Sequence, residues 1–127
     1  FRGDAPRKDF AKTLPAPLRL GFHLVGRKFM PSYPYEEAYF MPEASKVLEQ
    51  VELPAILLGG VSKLSTAQMA IEQGFSYVAL GRALLMEPGI IDRWASGDDA
   101  PSACTHCNRC MPSIYTGTRC VLVDDAS

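Results

Sequence analysis

Along the chain the hydrophobic positions change rhythm twice. Through residues 1–34 no period survives. Pro6, Pro15, Pro17, Pro31 and Pro34, with Gly3, Gly21 and Gly26, interrupt every candidate run, and the segment reads as irregular. "LRLGFHLVG" (18–26) makes at most a short strand or turn there, and His23, set among apolar residues, reads as a structural histidine. Over 36–51, "EEAYFMPEASKVLEQV", the pattern is helical. Phe40, Ala44, Val47, Leu48 and Val51 recur at three- and four-residue steps, and Pro42 falls in the first turn, where its missing N–H costs nothing. Tyr33, Tyr35, Tyr39 and Phe40 read as packing at the entry of that helix, with the lining of a pocket as the alternative.

Beyond residue 52 short apolar runs alternate with short helical ones. "LPAILLGG" (53–60) predicts a buried strand. "STAQMAIEQG" (65–74) predicts a helix with Ser65 as its N-cap and Gly74 as its stop. "FSYVALGR" (75–82) predicts a second strand, "ALLMEP" (83–88) one helical turn, and "GIIDRWASG" (89–97) a short helix anchored by Trp94. Two uniformly apolar strands separated by a helix predict parallel strands covered on both faces. Leu58-Gly59-Gly60 and Leu80-Gly81-Arg82 lie 22 residues apart, the length of one β/α unit. The fold class expected is α/β: the C-terminal portion of a (β/α)8 barrel, about its strands seven and eight, over residues 1–103, followed by a cysteine-rich tail over 104–127. Two strands cannot stand alone as a parallel sheet. The remainder of the barrel is expected from a missing N-terminal part or a partner chain, in keeping with a chain that opens at Phe1 without an initiator Met.

Composition narrows the classes. Of 127 residues 47% are hydrophobic and 21% charged, ordinary for a globular protein, and the net charge is −1. No basic stripe supports a nucleic-acid partner. No apolar run approaches a membrane span, and no signal-peptide pattern opens the chain, so a cytoplasmic location is expected.

The ends of the two strands carry the first candidate chemistry. A β/α barrel places its chemistry at the C-terminal strand ends, with a recurrent phosphate site after strands seven and eight. Gly59 and Gly60 let backbone N–H groups approach an anion closely, and Gly81 does so after the next strand. Arg82 adds a fixed charge with a fork of donors, and "ALLM" begins a helix beside it. These parts predict phosphate binding. A barrel that takes a sugar phosphate uses the same parts.

"LPAILLGGVSKLSTAQMAIEQGFSYVALGRALLMEPGII" (53–91), with "AYFMPEASKVLEQVELP" (38–54) before it, resembles the C-terminal barrel segment of the old yellow enzyme family, the NADH:flavin oxidoreductases. The resemblance covers about residues 33–120. It implies non-covalent FMN, with Gly59, Gly60, Gly81 and Arg82 holding its phosphate. It also implies hydride transfer from NAD(P)H through the flavin to an electron-poor alkene or similar small-molecule acceptor. The groups that touch the flavin ring and the substrate lie on earlier strands of that family, so no catalytic residue is assigned on this chain.

All four cysteines lie in "CTHCNRCMPSIYTGTRC" (104–120). Cys104, Cys107 and Cys110 are spaced by two residues each and Cys120 follows nine residues later, a run closer to a cubane iron–sulfur set than to the two separated pairs usual for zinc. Zinc, and thiols that bind nothing, stay open on spacing alone, as does a metal-binding interaction module using the cysteines. His106 inside the run reads as a surface residue. "CTHCNRC" is similar to the motif that follows the barrel in the iron–sulfur branch of the family, which includes 2,4-dienoyl-CoA reductase and trimethylamine dehydrogenase. That likeness implies a 4Fe–4S cluster on Cys104, Cys107, Cys110 and Cys120, although the last gap is shorter than in those enzymes.

With only two core strands legible, the chain by itself is expected to leave an open sheet edge and to bind FMN weakly. Titrating FMN into the purified chain and following flavin fluorescence checks this; tight, stoichiometric binding would contradict it.

Overall fold

A computed structural model describes residues 2–114 and 116–124, the side chain of Asp124 excepted. Tyr115 and residues 125–127 of the expected tail lie outside the described residues. In chain order the elements are α1 (Arg7–Thr13), α2 (Ala16–Phe29), α3 (Met41–Leu48), β1 (Ile56–Leu58), α4 (Leu64–Glu72), β2 (Tyr77–Ala79), α5 (Arg82–Met86), α6 (Ile90–Ala95), a 3-10 turn (Met111–Ser113) and α7 (Val121–Asp124). They form two compact units, one of residues 36–104 and one of residues 1–35 with 105–127. The first 35 residues thus group with the cysteine-rich tail, where sequence had grouped them with the strands. None of the described helices is long and apolar enough to cross a membrane.

In the 36–104 unit, β1 and β2 are parallel and in register, with Ile56 opposite Tyr77, Leu57 opposite Val78 and Leu58 opposite Ala79. Leu57 is 0% exposed and packs with Ala38, Val61, Ala70 and Phe75 in the main core; Met41, Ala44 and Leu48 of α3 close over it. A second cluster, Ala83, Ile90 and Trp94, shares Leu80 with the first. The strands were expected to be covered on both faces. Among the described residues they are not: Ile56, Leu58 and Tyr77 are 59%, 60% and 63% exposed. Period-two geometry explains why, since residues flanking an inward Leu57 must point to the opposite face.

Several element limits differ from the sequence reading. The helix expected over 36–51 is regular only from Met41, and Pro42 does sit in its first turn. Ser65 is not the N-cap of α4; Lys63 holds that position, without a side-chain cap. Trp94 does anchor α6: it is buried, and its Nε1 donates to the Ala100 carbonyl at 3.0 Å. Arg93 beside it donates to both Glu87 carboxylate oxygens and to the Asp98 and Ala100 carbonyls, tying the exit of α6 back on itself.

The 1–35/105–127 unit corrects the reading of its N-terminal part. Residues 18–26 are neither strand nor turn but the body of α2, a 14-residue helix. Pro15 and Pro17, taken as interruptions, fall at its N-terminus, where proline initiates rather than breaks. Arg19 reaches back from α2 and donates to the carbonyls of Ala11 (3.1 Å), Lys12 (3.2 Å) and Leu14 (3.4 Å), satisfying acceptors that the end of α1 leaves open. His23 is exposed on α2, not a core histidine.

The hydrogen bond and charge of Arg93 hold the Glu87 carboxyl below its ordinary value of 4.5. A carboxyl lowered in the folded state stabilises fully above the unfolded value, and that contribution is lost as pH falls through the lower folded value. In the intact protein, the Glu87 carboxyl signal in an NMR titration is expected to have its midpoint below 4.5 and to move up in Arg93→Gln.

Candidate functional site

The parallel register decides which strand-end residues meet. Leu58 at the end of β1 is opposite Ala79 at the end of β2, so Gly59 and Gly60 follow one strand and Leu80 and Gly81 follow the other at the same end of the pair. The glycines singled out from sequence therefore leave the sheet at one end, and Arg82 opens α5 at that same end.

The reasons these positions are glycine differ. Gly59 and Gly60 have φ of +122° and +77°, conformations that L side chains rarely adopt. A Cβ on Gly59 would lie 2.6 Å from Phe40 Cδ2, and one on Gly60 2.8 Å from Tyr39 Cδ1. Tyr39 and Phe40, grouped in sequence as packing residues, indeed fill the space these glycines vacate. Packing thus demands both glycines whether or not an anion binds. Gly81 differs: its φ is −107° and a Cβ there would meet nothing within 4 Å, so its flank is open.

One residue of this end was missed in the sequence. Glu37 places one carboxylate oxygen 2.8 Å from the Ser62 N–H and 3.1 Å from the Lys63 N–H, and the other 2.6 Å from the Ser62 hydroxyl. Ser62 is buried, and its carbonyl accepts from the Ser102 N–H at 2.8 Å. The loop after β1 is therefore clamped by a carboxylate at the start of α4, where the helix dipole also favours negative charge. No local signal marks Glu37, because its partners lie 25 and 26 residues away.

The cysteine run divides between the units. Cys104 closes the 36–104 unit, its N–H donating to Ser102 Oγ at 3.3 Å. Cys107, Cys110 and Cys120 belong to the other unit. All four are part-exposed and none is in a disulfide. Their donor chemistry suits soft metal centres. Among the described residues, however, no three His, Cys, Asp or Glu side chains are gathered so as to hold a metal ion.

The loop around Cys107 is held unusually. His106 and Asn108, on either side of it, have φ of +57° and +58°. Asn108 is buried and its Nδ2 donates to the Asp4 carbonyl at 2.8 Å, while the Asp4 N–H donates to the His106 carbonyl at 3.1 Å. His106, read from sequence as an idle surface residue, stacks on Tyr35 with ring centroids 3.4 Å apart. Gly3 has φ +120° and lies so close to the His106 carbonyl that no side chain fits there. Arg109 pairs with Asp9 at 3.2 Å, and Lys12 foremost, then Arg109, holds the Asp9 carboxyl below its ordinary value.

No family model matches the chain, and no solved structure matches it. Among characterised proteins the chain is similar to the 4,4'-dithiodibutanoate disulfide reductase of Rhodococcus erythropolis, with 40% identity over 124 residues. The match takes in 98% of this chain but 31% of that protein, so the chain spans about a third of the length of the relative it matches. By its name that relative is an oxidoreductase, and this chain is thereby homologous to a segment of an oxidoreductase.

Proposed function

We propose that this chain is the flavin-phosphate-binding part of an FMN-dependent oxidoreductase that passes electrons from NAD(P)H to a small organic acceptor. The observation that carries the reading is the meeting of two glycine-ended strand termini at one end of a parallel pair, in a chain similar to an oxidoreductase. The relative's name supports an organic disulfide as the acceptor. The family resemblance supports an electron-poor alkene as the second. The exposed apolar residues Ile56, Leu58 and Tyr77 support further barrel strands packing on this pair, from the same polypeptide or a partner.

The residues of this chain that serve the flavin are those at the strand ends. Backbone N–H groups at Gly59, Gly60 and Gly81 would hold the phosphate, and the Arg82 guanidinium would supply a charge with forked donors. Glu37 has a positioning role: by fixing Ser62 and Lys63 it fixes the loop that contains Gly59 and Gly60. Bound FMN would supply two-electron chemistry, taking hydride from NAD(P)H and passing reducing equivalents on. The four-cysteine cluster is kept as a second proposal on the strength of its donor set, and no step is routed through it.

The intact protein is expected to be yellow and to release FMN on denaturation. Arg82→Ala should remove a charge-assisted contact worth about 1.5–3 kcal/mol, weakening FMN about 10- to 150-fold. Equilibrium flavin titration of the apoprotein checks this, and an unchanged dissociation constant would refute the assignment.

A further inference from the structure

The helix α2 presents an apolar face that nothing among the described residues covers. Leu18, Leu20, Leu24 and Phe29 are 60%, 72%, 82% and 72% exposed, and Val25 is exposed beside them. At the helical repeat, Leu18, Val25 and Phe29 make one row and Leu20 and Leu24 a second, with Gly21 between the two. The other side holds α2 in its own unit. Gly26 is buried there, Phe22 is half-buried, and Arg19 is committed to the carbonyls at the end of α1. A contiguous apolar patch of this kind on a folded surface marks an interaction site.

Charge identifies what the patch fits. No acidic residue occurs in α2, and its last turn carries Arg27 and Lys28. Lys28 falls one turn beyond Leu24 in the same row, and Arg27 lies one turn beyond Leu24 on its other flank. The cations therefore close the C-terminal end of the apolar face instead of lying behind it. Among the described residues neither is in an ion pair. The whole unit has the same sign. Residues 1–35 and 105–127 carry nine Lys or Arg against four Asp or Glu, a net of +5, whereas residues 36–104 carry four against ten, a net of −6.

A protein partner covering these rows would have to bury Lys28 beside Leu24, or commit a carboxylate to it, and Lys is depleted where protein interfaces exclude water. An anionic bilayer offers both layers together. Its hydrocarbon boundary takes the leucines, and the phosphates lie just above, within reach of the flexible stems of Arg and Lys. With 14 residues, α2 is too short to span and long enough to lie in the surface plane. The exposed strand residues that await further barrel strands belong to the other unit, so completing a sheet there does not account for α2.

We propose that α2 docks the protein on an anionic membrane surface, with Leu18, Leu20, Leu24, Val25 and Phe29 in the acyl boundary and Arg27 and Lys28 on the headgroups. The proposal does not depend on the flavin reading.

The test is flotation of the intact protein with vesicles of phosphatidylcholine containing about a third phosphatidylserine, at low salt. The protein is expected to float with these vesicles, to bind pure phosphatidylcholine at least tenfold less, and to bind less as salt is raised. Arg27→Gln with Lys28→Gln should weaken binding about 10- to 30-fold. Leu20→Ser with Leu24→Ser should weaken it at least tenfold. Both double variants should keep the circular dichroism and melting temperature of the parent, because the side chains replaced are exposed. Failure of the intact protein to float with the anionic vesicles overturns the proposal. Binding that survives the loss of both leucines overturns it too, since charge elsewhere would then be the cause. Two further results count against it and name another occupant of the face. If the leucine variant melts several degrees lower, the rest of the polypeptide covers α2; if it abolishes self-association measured by ultracentrifugation, a second copy does.

Discussion

The candidate site depends on the in-register pairing of β1 with β2. Each strand has only three residues, so ladder hydrogen bonds alone cannot hold them. Burial of Leu57 among Ala38, Val61, Ala70 and Phe75 supplies the main restraint, worth about 1.5–3 kcal/mol for a side chain of this size. It also sets the register. A slip of one residue would turn Leu57 away from the core and bring Ile56 or Leu58 in. The same slip would offset the end of β1 from the end of β2, so core packing and the placing of the two glycine-ended exits are one constraint.

A second layer of control acts on the loop that leaves β1. Two positive-φ glycines give it the freedom to reverse, and two aromatic rings fill the space that side chains would have taken. Freedom of that kind needs an opposing restraint. Glu37 supplies it from one side, accepting three hydrogen bonds, and Ser102 from the other. Hydrogen bonds to a carboxylate are stronger than neutral ones, and a buried Ser62 would otherwise be left with unmet polar groups.

The cysteine loop is built by a different rule. Its neighbours His106 and Asn108 carry left-handed backbone at a cost of roughly 1–2 kcal/mol each. That cost is offset by contacts from the N-terminal segment: the Asp4 backbone on both residues, and Tyr35 on the His106 ring. Residues 2–5 are thus a structural partner of the cysteines more than a hundred positions away.

The sequence by itself determined the alternation of strand and helix beyond residue 52. It did so because short apolar runs bounded by Pro54, Gly59-Gly60 and Gly81 leave few alternatives, and because Trp94 among polar neighbours can only be an anchor. It also marked Gly59, Gly60, Gly81 and Arg82 as a candidate set. Tertiary structure alone decided the rest. Proline at 15 and 17 breaks or begins a helix according to position, and local pattern does not fix position, so α2 was illegible. The pairing of Glu37 with Ser62, and of Asn108 with Asp4, joins residues with no shared period, so only the folded chain selects them. The sequence marked the cysteines as a group but not how they associate. That depends on which unit each one packs into, and packing is a property of buried surface rather than of spacing.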